Sequence, residues 1–528
     1  MRLLPIVAAA LLGHATIHAQ NATVTVIHGI PGLASPVDVF ANNAKLFSFD
    51  FNQSRTLSLP PATYGLEVKL NGQTVLSGSA MVAAGRNYSV IAHQQASSGI
   101  RLSVFENDLA PLQQGDSRLA VRHTAKAPAV DVGLDQGSTR IATIRNLANP
   151  NEATADVTSG AYSASLFAAG TTNRAFGPVD LKLQPGTGYA VFAIGDLTGN
   201  SFTLFVHTFT VPVKAAVTVI HGIPGLPQPV EVFANSARLF SFDFDASRTL
   251  ALDPGTYNLE VKLGGQTVLS GAAKVESGGN YTVIAHLRET SGNQLSVFVN
   301  DNSPIDTGKA RLAVRHTAKA PAVDVALDQF NRRVGLIPNL RNPGEASVEV
   351  PAGPFDASLF AAGTSNRAFG PVPLRLAAGT GYAVFAIGDI GNTSFRLFVQ
   401  TYGVAQLSPI RTEIRGAACA GRMWISNPSP SFDESFEVSI FAATPNDAAL
   451  LAIGLAQGNV PLPANCTLYV RPDVLVPILT DLAGRAAISV SIPKALGGAL
   501  PPVYLQWGFP ATPHGSELRT TDYLIIRQ

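Results

Sequence analysis

The sequence has little cysteine, methionine, tryptophan or charge. Two cysteines, three methionines and two tryptophans occur in 528 residues, and charged residues make up 14% of the chain, well under the usual quarter. The net charge is +1, and the lysines and arginines are scattered, so we expect no nucleic-acid partner. Hydrophobic residues amount to 46%, which is enough for several small cores.

Apolar runs of transmembrane length are also missing. Arg2 precedes an apolar run at residues 3–13 that is too short to span a bilayer. This pattern predicts a secretory signal peptide at residues 1–19, cleaved after Ala19 or, alternatively, after Ala15. We therefore expect a chain without a transmembrane segment that is secreted, periplasmic or on the cell surface.

The two cysteines, Cys419 and Cys466, lie 47 residues apart in the last part of the chain. In an exported protein an even pair predicts one disulfide. The alternative is a pair of buried free thiols, because spacing alone does not fix pairing.

A tandem duplication organises most of the chain. Three segments recur 193 residues later: 24–33 at 217–226, 121–132 at 314–325, and 173–179 at 366–372. Each long repeat is itself split, because His28 and His123 lie 95 residues apart, as do His221 and His316. The sequence therefore predicts four related units, each the size of a small domain.

Each unit repeats one pattern. A strand ends in histidine, a turn with proline follows, and a Val-acid-Val strand comes next; later a turn precedes an aromatic residue. The histidines and acids are His28 and Asp38, His123 and Asp131, His221 and Glu231, and His316 and Asp324. The aromatic residues are Tyr64, Tyr162, Tyr257 and Phe355; we expect the tyrosine hydroxyls to bond back to the backbone, as in sandwich folds.

The period within the units is that of β-strands. Alternating residues 66–70 are followed by Asn71-Gly72, a strong hairpin signal. We predict an all-β chain of tandem Ig-like or transthyretin-like sandwiches with a β-rich C-terminal domain, in which residues 473–484 form a short helix disturbed by Pro477. The predicted divisions are a signal peptide at 1–19, units 1a, 1b, 2a and 2b at 20–116, 117–213, 214–309 and 310–405, and a C-terminal domain at 406–528.

The paired pattern of His-x-x-Pro, Val-Asp-Val and a Gly-x-x-Tyr strand resembles a bacterial family, domain of unknown function 4397. His28, Pro31 and Asp38 carry the likeness, and His123, Pro128 and Asp131 repeat it. The resemblance covers residues 22–405, and Glu231 departs from the pattern. It implies an exported β-sandwich module of the cell envelope or its surroundings, with no established activity.

The repeated histidines and acids have two interpretations. Buried polar groups normally find partners, so a histidine that fixes the turn by hydrogen bonding is the structural interpretation, which we favour. A metal or acid–base site is the alternative, but one histidine and one carboxylate per unit fall short of a zinc site. We therefore predict no metal, no other cofactor and no catalytic residue.

A second repeated feature is the loop that carries Arg174 and Phe176, which recur as Arg367 and Phe369. An arginine and an aromatic ring on a Gly/Thr-rich loop could bind a sugar or a partner. In the structural alternative the phenylalanine plugs the end of the sandwich and the arginine packs on a neighbouring unit.

Together these features favour an exported, non-enzymatic rod with a structural or adhesive role in the bacterial envelope. One alternative is a carbohydrate or small-ligand binder that uses the Arg/Phe loops. The other is a hydrolase that uses the repeated histidine and acid. The partner class that fits is a glycan or another envelope protein.

Overall fold

A computed structural model describes residues 20–33, 36–226, 229–497 and 500–528. This part of the chain contains 42 strands and a single three-residue 3₁₀ helix, Lys494–Leu496, so the predicted all-β class is confirmed. The predicted signal peptide, residues 1–19, lies outside the described residues. Among the residues that are described, none of the helical structure is long and apolar enough to cross a membrane.

The first eight strands form a sandwich of two four-stranded sheets. They are β1 (Ala22–Gly29), β2 (Val37–Ala41), β3 (Ala44–Phe49), β4 (Ser54–Leu59), β5 (Ala62–Leu70), β6 (Gln73–Val82), β7 (Asn87–Gln94) and β8 (Ile100–Asn107). The sheet orders are β4-β1-β7-β8 and β3-β2-β5-β6. Alternate residues of both sheets meet in an apolar core that includes Val26, Val39 and Val90.

The next eight strands repeat this arrangement. They are β9 (Asp116–His123), β10 (Val130–Gln136), β11 (Thr139–Leu147), β12 (Glu152–Thr158), β13 (Gly160–Ala168), β14 (Arg174–Leu183), β15 (Thr187–Ile194) and β16 (Thr203–Thr210). Their sheet orders are β12-β9-β15-β16 and β11-β10-β13-β14. As in the first sandwich, the strand that ends in histidine runs parallel to the Gly-x-x-Tyr strand, here β9 with β15.

The second copy reproduces both sandwiches. The third contains β17 (Ala215–Gly222), β18 (Val230–Ala234), β19 (Ala237–Phe242), β20 (Ser247–Leu252), β21 (Gly255–Leu263), β22 (Gln266–Val275), β23 (Asn280–Leu287) and β24 (Asn293–Val299). The fourth contains β25 (Lys309–His316), β26 (Val323–Gln329), β27 (Arg332–Leu340), β28 (Glu345–Pro351), β29 (Gly353–Ala361), β30 (Arg367–Leu376), β31 (Thr380–Ile387) and β32 (Arg396–Gly403). All four sandwiches share one strand order.

Local turn chemistry explains the hairpins. Asn71 and Gly72 have φ angles of 49° and 80°, and Leu70 pairs with Gln73 across the turn, as the Asn-Gly signal predicts. The predicted bonds from tyrosine hydroxyls to the backbone are also confirmed. The hydroxyls of Tyr64 and Tyr257 donate to carbonyl oxygens four residues upstream, at 3.0 and 2.9 Å.

The chain divides into two compact units. The first comprises the described residues up to Val217 together with 250–257 and 273–279, and the second comprises 218–249, 258–272 and 280–528. Within the first unit, the sheets that hold β1 and β9 meet over an apolar layer that contains Ile27, Phe105 and Phe192. Within the second, Ile220, Phe298 and Phe385 form the equivalent layer.

The C-terminal region is a different β-fold. Its strands are β33 (Arg411–Arg415), β34 (Arg422–Ile425), β35 (Ser435–Phe441), β36 (Ala448–Gly454), β37 (Ala456–Leu462), β38 (Cys466–Arg471), β39 (Val474–Leu479), β40 (Ala486–Ser491), β41 (Val503–Pro510) and β42 (Leu518–Arg527). They form sheets of five, three and two strands. Cys419 and Cys466 are joined in a disulfide with a Cα–Cα distance of 5.0 Å, so the predicted bridge is confirmed.

The helix predicted at residues 473–484 is wrong. Val474–Leu479 is instead strand β39, at one edge of the five-stranded sheet, where it pairs with β36. Pro477 has no N–H to donate within a helix, whereas an edge strand tolerates it because that side of the strand needs no ladder bond. Asp473 and Gly484 resemble the residues that begin and end a helix, but the proline between them outweighs both.

Candidate functional site

The histidines one residue before the ends of β1 and β17 are buried at the ends of the sandwich cores. His28 is 2% exposed, and its Nδ1 accepts a hydrogen bond from the Ile30 N–H at 3.3 Å. Its ring lies 5.5 Å from the ring of Phe49. His221 has the same turn contact, with Ile223, at 3.3 Å. Both imidazoles therefore brace the turn that follows the strand.

The histidines that end β9 and β25 brace the same turn from the other nitrogen. Nε2 of His123 donates to the Pro128 carbonyl oxygen at 2.9 Å, and Nε2 of His316 donates to that of Pro321 at 3.0 Å. The Nδ1 atoms of His123 and His316 are buried and have no hydrogen-bond partner among the described residues.

The acids contact other groups. Asp38 accepts from Ser48 Oγ at 2.6 Å and Glu231 from Arg238 Nε at 2.7 Å. Asp131 accepts the backbone N–H groups of Asn146 and Gly170, at 2.7 and 3.0 Å. Each sandwich therefore uses its histidine and its acid in separate contacts.

In the second and fourth sandwiches the acid supports the Arg/Phe loop. Asp324 repeats the contacts of Asp131, with Asn339 and Gly363 at 2.7 and 2.9 Å. Donation by backbone N–H groups lowers the pKa of both carboxyl groups. In the described ranges no three histidine, cysteine or acidic side chains are grouped so that they could hold a metal ion.

Acidification is expected to destabilise the first sandwich through His28. Burial lowers its pKa to about 4, and Asp50 opposes this in part, whereas a histidine in an unfolded chain titrates near 6.5. Between these values the unfolded chain holds a proton that the folded chain lacks. The contribution of His28 to the free energy of unfolding is therefore fully present above pH 6.5. It falls by about 1.4 kcal/mol per pH unit as the pH drops toward 4.

Urea unfolding of the full chain at pH 7 and pH 5 checks this expectation, with hydrogen exchange of the β1 amides as the readout. His28→Leu should reduce the pH dependence by one proton. His514→Leu, whose side chain is 86% exposed, is the control and should leave it unchanged. An unaltered pH dependence in His28→Leu would contradict the assignment.

The two residue types predicted to bind a ligand differ in their exposure to solvent. Arg174 is exposed, whereas Phe176 is half-buried and its ring lies 4.9 Å from the ring of Phe202. Phe369 packs on Phe395 in the same way, at 4.8 Å. Of the two predicted binding residues, the arginine is therefore the one that faces solvent, and the phenylalanine packs against its own sandwich.

Arg174 belongs to a cluster that the sequence did not indicate. Its guanidinium carbon lies 5.9 Å from the centre of the Phe167 ring, and that of Arg140 lies 5.2 Å from the same ring. Asp135 forms an ion pair with Arg140. We call Asp135, Arg140, Phe167 and Arg174 the cation–aromatic cluster.

The cluster is duplicated. In the fourth sandwich Arg333 and Arg367 lie 5.3 and 5.6 Å from the Phe360 ring, and Asp328 pairs with Arg333 at 2.5 Å. Each residue follows its counterpart by 193 positions. The constant offset of these four residue types was the signal in the sequence, but their approach needs the antiparallel pairing of four strands, β11, β10, β13 and β14.

Two fully buried arginines were also missed. Arg122 is fully buried between the first two sandwiches. It donates to Glu152 at 2.9 Å and reaches across to Ser89 and Asn107 at 3.1 and 2.8 Å. Its guanidinium group also lies 4.7 Å from the Phe105 ring. Arg315 makes the equivalent contacts with Glu345 and Asn300.

Comparison with known proteins finds one family whose model matches part of each repeat. The family described as "Domain of unknown function (DUF4397)" matches residues 22–133 and 215–326, which confirms the resemblance seen in the sequence. No curated protein matches the chain.

Among solved structures the similarity is remote. The Bacillus anthracis TIE protein is 11% identical over 67% of this chain and 65% of its own, with a TM-score of 0.14; the present chain thus spans just under two thirds of that protein. A DUF3823 family protein from Parabacteroides merdae is 13% identical over 42% of this chain and 97% of its own, with a TM-score of 0.12. A tetra-tandem repeat from the extending region of a large adhesion protein is 9% identical over 96% of this chain and 99% of its own, also with a TM-score of 0.12. These scores are too low to support an argument about function.

Proposed function

We propose that this chain, which carries two DUF4397 regions, is an exported, non-enzymatic repeat protein that adheres to a partner surface in or around the bacterial envelope. The observation that carries the proposal is the exposed cation–aromatic cluster, which occurs once in each copy with the same residue types. Duplication of a binding face raises avidity without any new chemistry, because the second contact becomes intramolecular.

The repeated histidines and acids support a role other than catalysis. A general base must reach the proton that it removes, and a nucleophile must lie beside its base. In this chain each imidazole contacts the turn after its own strand, and each acid contacts groups other than the histidine. These separate contacts favour the non-enzymatic proposal over the hydrolase hypothesis.

Carbohydrate binding is the second candidate, and the makeup of the cluster favours anionic sugars. The ring face of Phe167 suits the apolar face of a sugar, and guanidinium groups bind carboxylates with two parallel hydrogen bonds. Asp135 is paired with Arg140, whereas Arg174 has no ion-pair partner within the described residues. Arg174 and its counterpart Arg367 are thus the cations available to a ligand carboxylate.

An array of neutral and carboxylate-bearing glycans tests the proposal. We expect the full chain to bind the carboxylate-bearing glycans, because they match both the ring and the guanidinium group. The double variant Arg174→Ala/Arg367→Ala should lose about 100-fold in apparent affinity, and each single variant should lose mainly the avidity component.

The matched control is Arg55→Ala/Arg248→Ala. These two arginines are also exposed and also lie 193 residues apart, so the control removes the same charge from the same two copies. An equal loss of apparent affinity in both double variants would show that binding depends on net charge alone. Undiminished binding in Arg174→Ala/Arg367→Ala would contradict the role of the cluster.

A further inference from the structure

An apolar pocket of about 240 Å³ lies in the fourth sandwich, beneath the loop that carries Arg367. Five of its eleven lining residues are alanines, and these small side chains leave the space open. Ala361 and Ala368 come from the two sides of the Arg/Phe loop, and Ile390 and Phe395 come from the loop between β31 and β32.

The walls of the pocket are held in place by hydrogen bonds. Lys319 Nζ lies 3.0 Å from an Asp389 carboxylate oxygen. The backbone N–H of Lys319 donates to Gly388 at 2.8 Å, and that of Ile390 donates to Lys319 at 3.2 Å. The two segments that face each other across the pocket are therefore tied together at its edge, and the space is preformed.

The lining determines which ligands fit. His316 is its one polar side chain, and the Nε2–H of this histidine already donates to Pro321. Burial lowers the pKa of His316, so the ring is neutral at pH 7. An anionic ligand would lose its hydration in this pocket and gain no donor in return, because the Nε2–H is already used and the unpaired Nδ1 of His316 can only accept.

Comparison with the first copy singles out one residue. Ten of the eleven lining residues have an identical counterpart 193 residues earlier, and the exception is Ile390, which replaces Leu197. Leu197 packs against the cluster of Ala125, Ala127 and Ala193. Ile390 is 36% exposed, and Phe395 and Leu397 pack against the equivalent alanines.

We propose that this pocket of the fourth sandwich is a binding site for a small, uncharged, apolar molecule of about one ring. An engineered apolar cavity of roughly 150 Å³ takes up benzene, so 240 Å³ accommodates a substituted ring. The site goes beyond adhesion and is separate from the cation–aromatic cluster, because its ligand meets the alanines and Phe395 rather than a guanidinium group.

Calorimetric titration of the full chain with para-xylene tests the site. We expect one binding site per chain. Ala368→Leu should weaken binding at least about tenfold, because the added methyl groups occupy the space of the ligand, and Ala368 is exposed, so the sandwich should still fold. Ile390→Leu, which installs the residue of the first copy, should weaken binding in the same direction.

Ala175→Leu is the matched control, since Ala175 is the exposed counterpart of Ala368 in the first copy, and it should leave the titration unchanged. Benzoate, which adds a charge to a ring of similar size, should bind at least about tenfold more weakly than para-xylene. The proposal is overturned if the wild-type chain does not bind para-xylene. Equal loss in Ala175→Leu, or equally tight binding of benzoate, overturns it as well.

Discussion

Replacing Arg122 by alanine is expected to lower the free energy of unfolding of the first two sandwiches by about 4 kcal/mol. The guanidinium group is fully buried and donates to Glu152, Ser89 and Asn107. Its removal leaves the Asn107 side-chain oxygen with fewer donors and opens a cavity beside Phe105 and Phe192. Loss of a buried polar partner and a new cavity both destabilise.

Hydrogen exchange of the full chain in increasing urea would measure this change. The strand β15 has the same sequence as β31, so the informative peptides are those that also include Gln184, or Asp116 at the start of β9, because these differ from their counterparts in the second copy. Arg315→Ala should have the same effect on β25 and β31, and each variant should spare the other copy. Arg55→Ala removes an exposed arginine from the first sandwich and should change stability by less than about 0.5 kcal/mol. A loss for Arg122→Ala as small as that of Arg55→Ala would show that the network contributes little.

Loss of the disulfide is expected to lower the free energy of unfolding of the C-terminal region by about 3–4 kcal/mol. The bridge joins Cys419 to Cys466 across 47 residues, and a cross-link of this span removes much of the conformational entropy of the unfolded chain. The double variant Cys419→Ala/Cys466→Ala tests this. Both tryptophans, Trp424 and Trp507, lie in this region, so tryptophan fluorescence in urea follows its unfolding selectively.

Reduction of the wild-type chain with dithiothreitol is the companion measurement, and it should shift the fluorescence transition in the same direction as the double variant. The four sandwiches contain no cysteine, so hydrogen exchange in β1 to β32 should be unaffected by the reductant. If the fluorescence midpoint is the same with and without the bridge, the cross-link does not stabilise this region.

Features fixed by neighbours in the sequence could be predicted. The hairpin at Asn71-Gly72 depends on two residues that adopt positive φ, and the corner bond of Tyr64 reaches only four residues back. Both follow from local chemistry and recur in the second copy, so repetition reinforced them. The family resemblance rests on the same local patterns around His28 and His123.

Features that need a second surface could not be predicted. In β9 the residues Leu119 and Val121 alternate with Arg118 and Arg122, and such alternation ordinarily indicates an exposed face. That face is instead covered by the neighbouring sandwich. One signal was present: β1 carries Ile27 where β9 carries Arg122, each just before the histidine, and a large apolar residue at that position indicates burial.

The hydrogen-bond partners of the acids could not be predicted from the sequence for a similar reason. Strand parity places the side chain of Asp131 opposite its flanking valines, but the loops that approach it come from 15 and 39 residues away. The cation–aromatic cluster likewise needs the four strands β11, β10, β13 and β14 to be paired in that order. Pattern analysis within one strand contains no information about such distances.

The unlike residues Ile27 and Arg122 also bear on how the chain reaches its native state. Near-identical neighbouring domains compete for one another during synthesis, and misassembly is their characteristic failure. A contact between two β9-type faces would bring two guanidinium groups together, and a contact between two β1-type faces would leave both arginines elsewhere without their cross-sheet acceptors. Arg122 reaches Ser89 and Asn107 because the β9-type face of its sandwich meets the β1-type face of the first sandwich. One isoleucine and one arginine per copy would therefore favour the pairing of a β1-type face with a β9-type face as the chain folds.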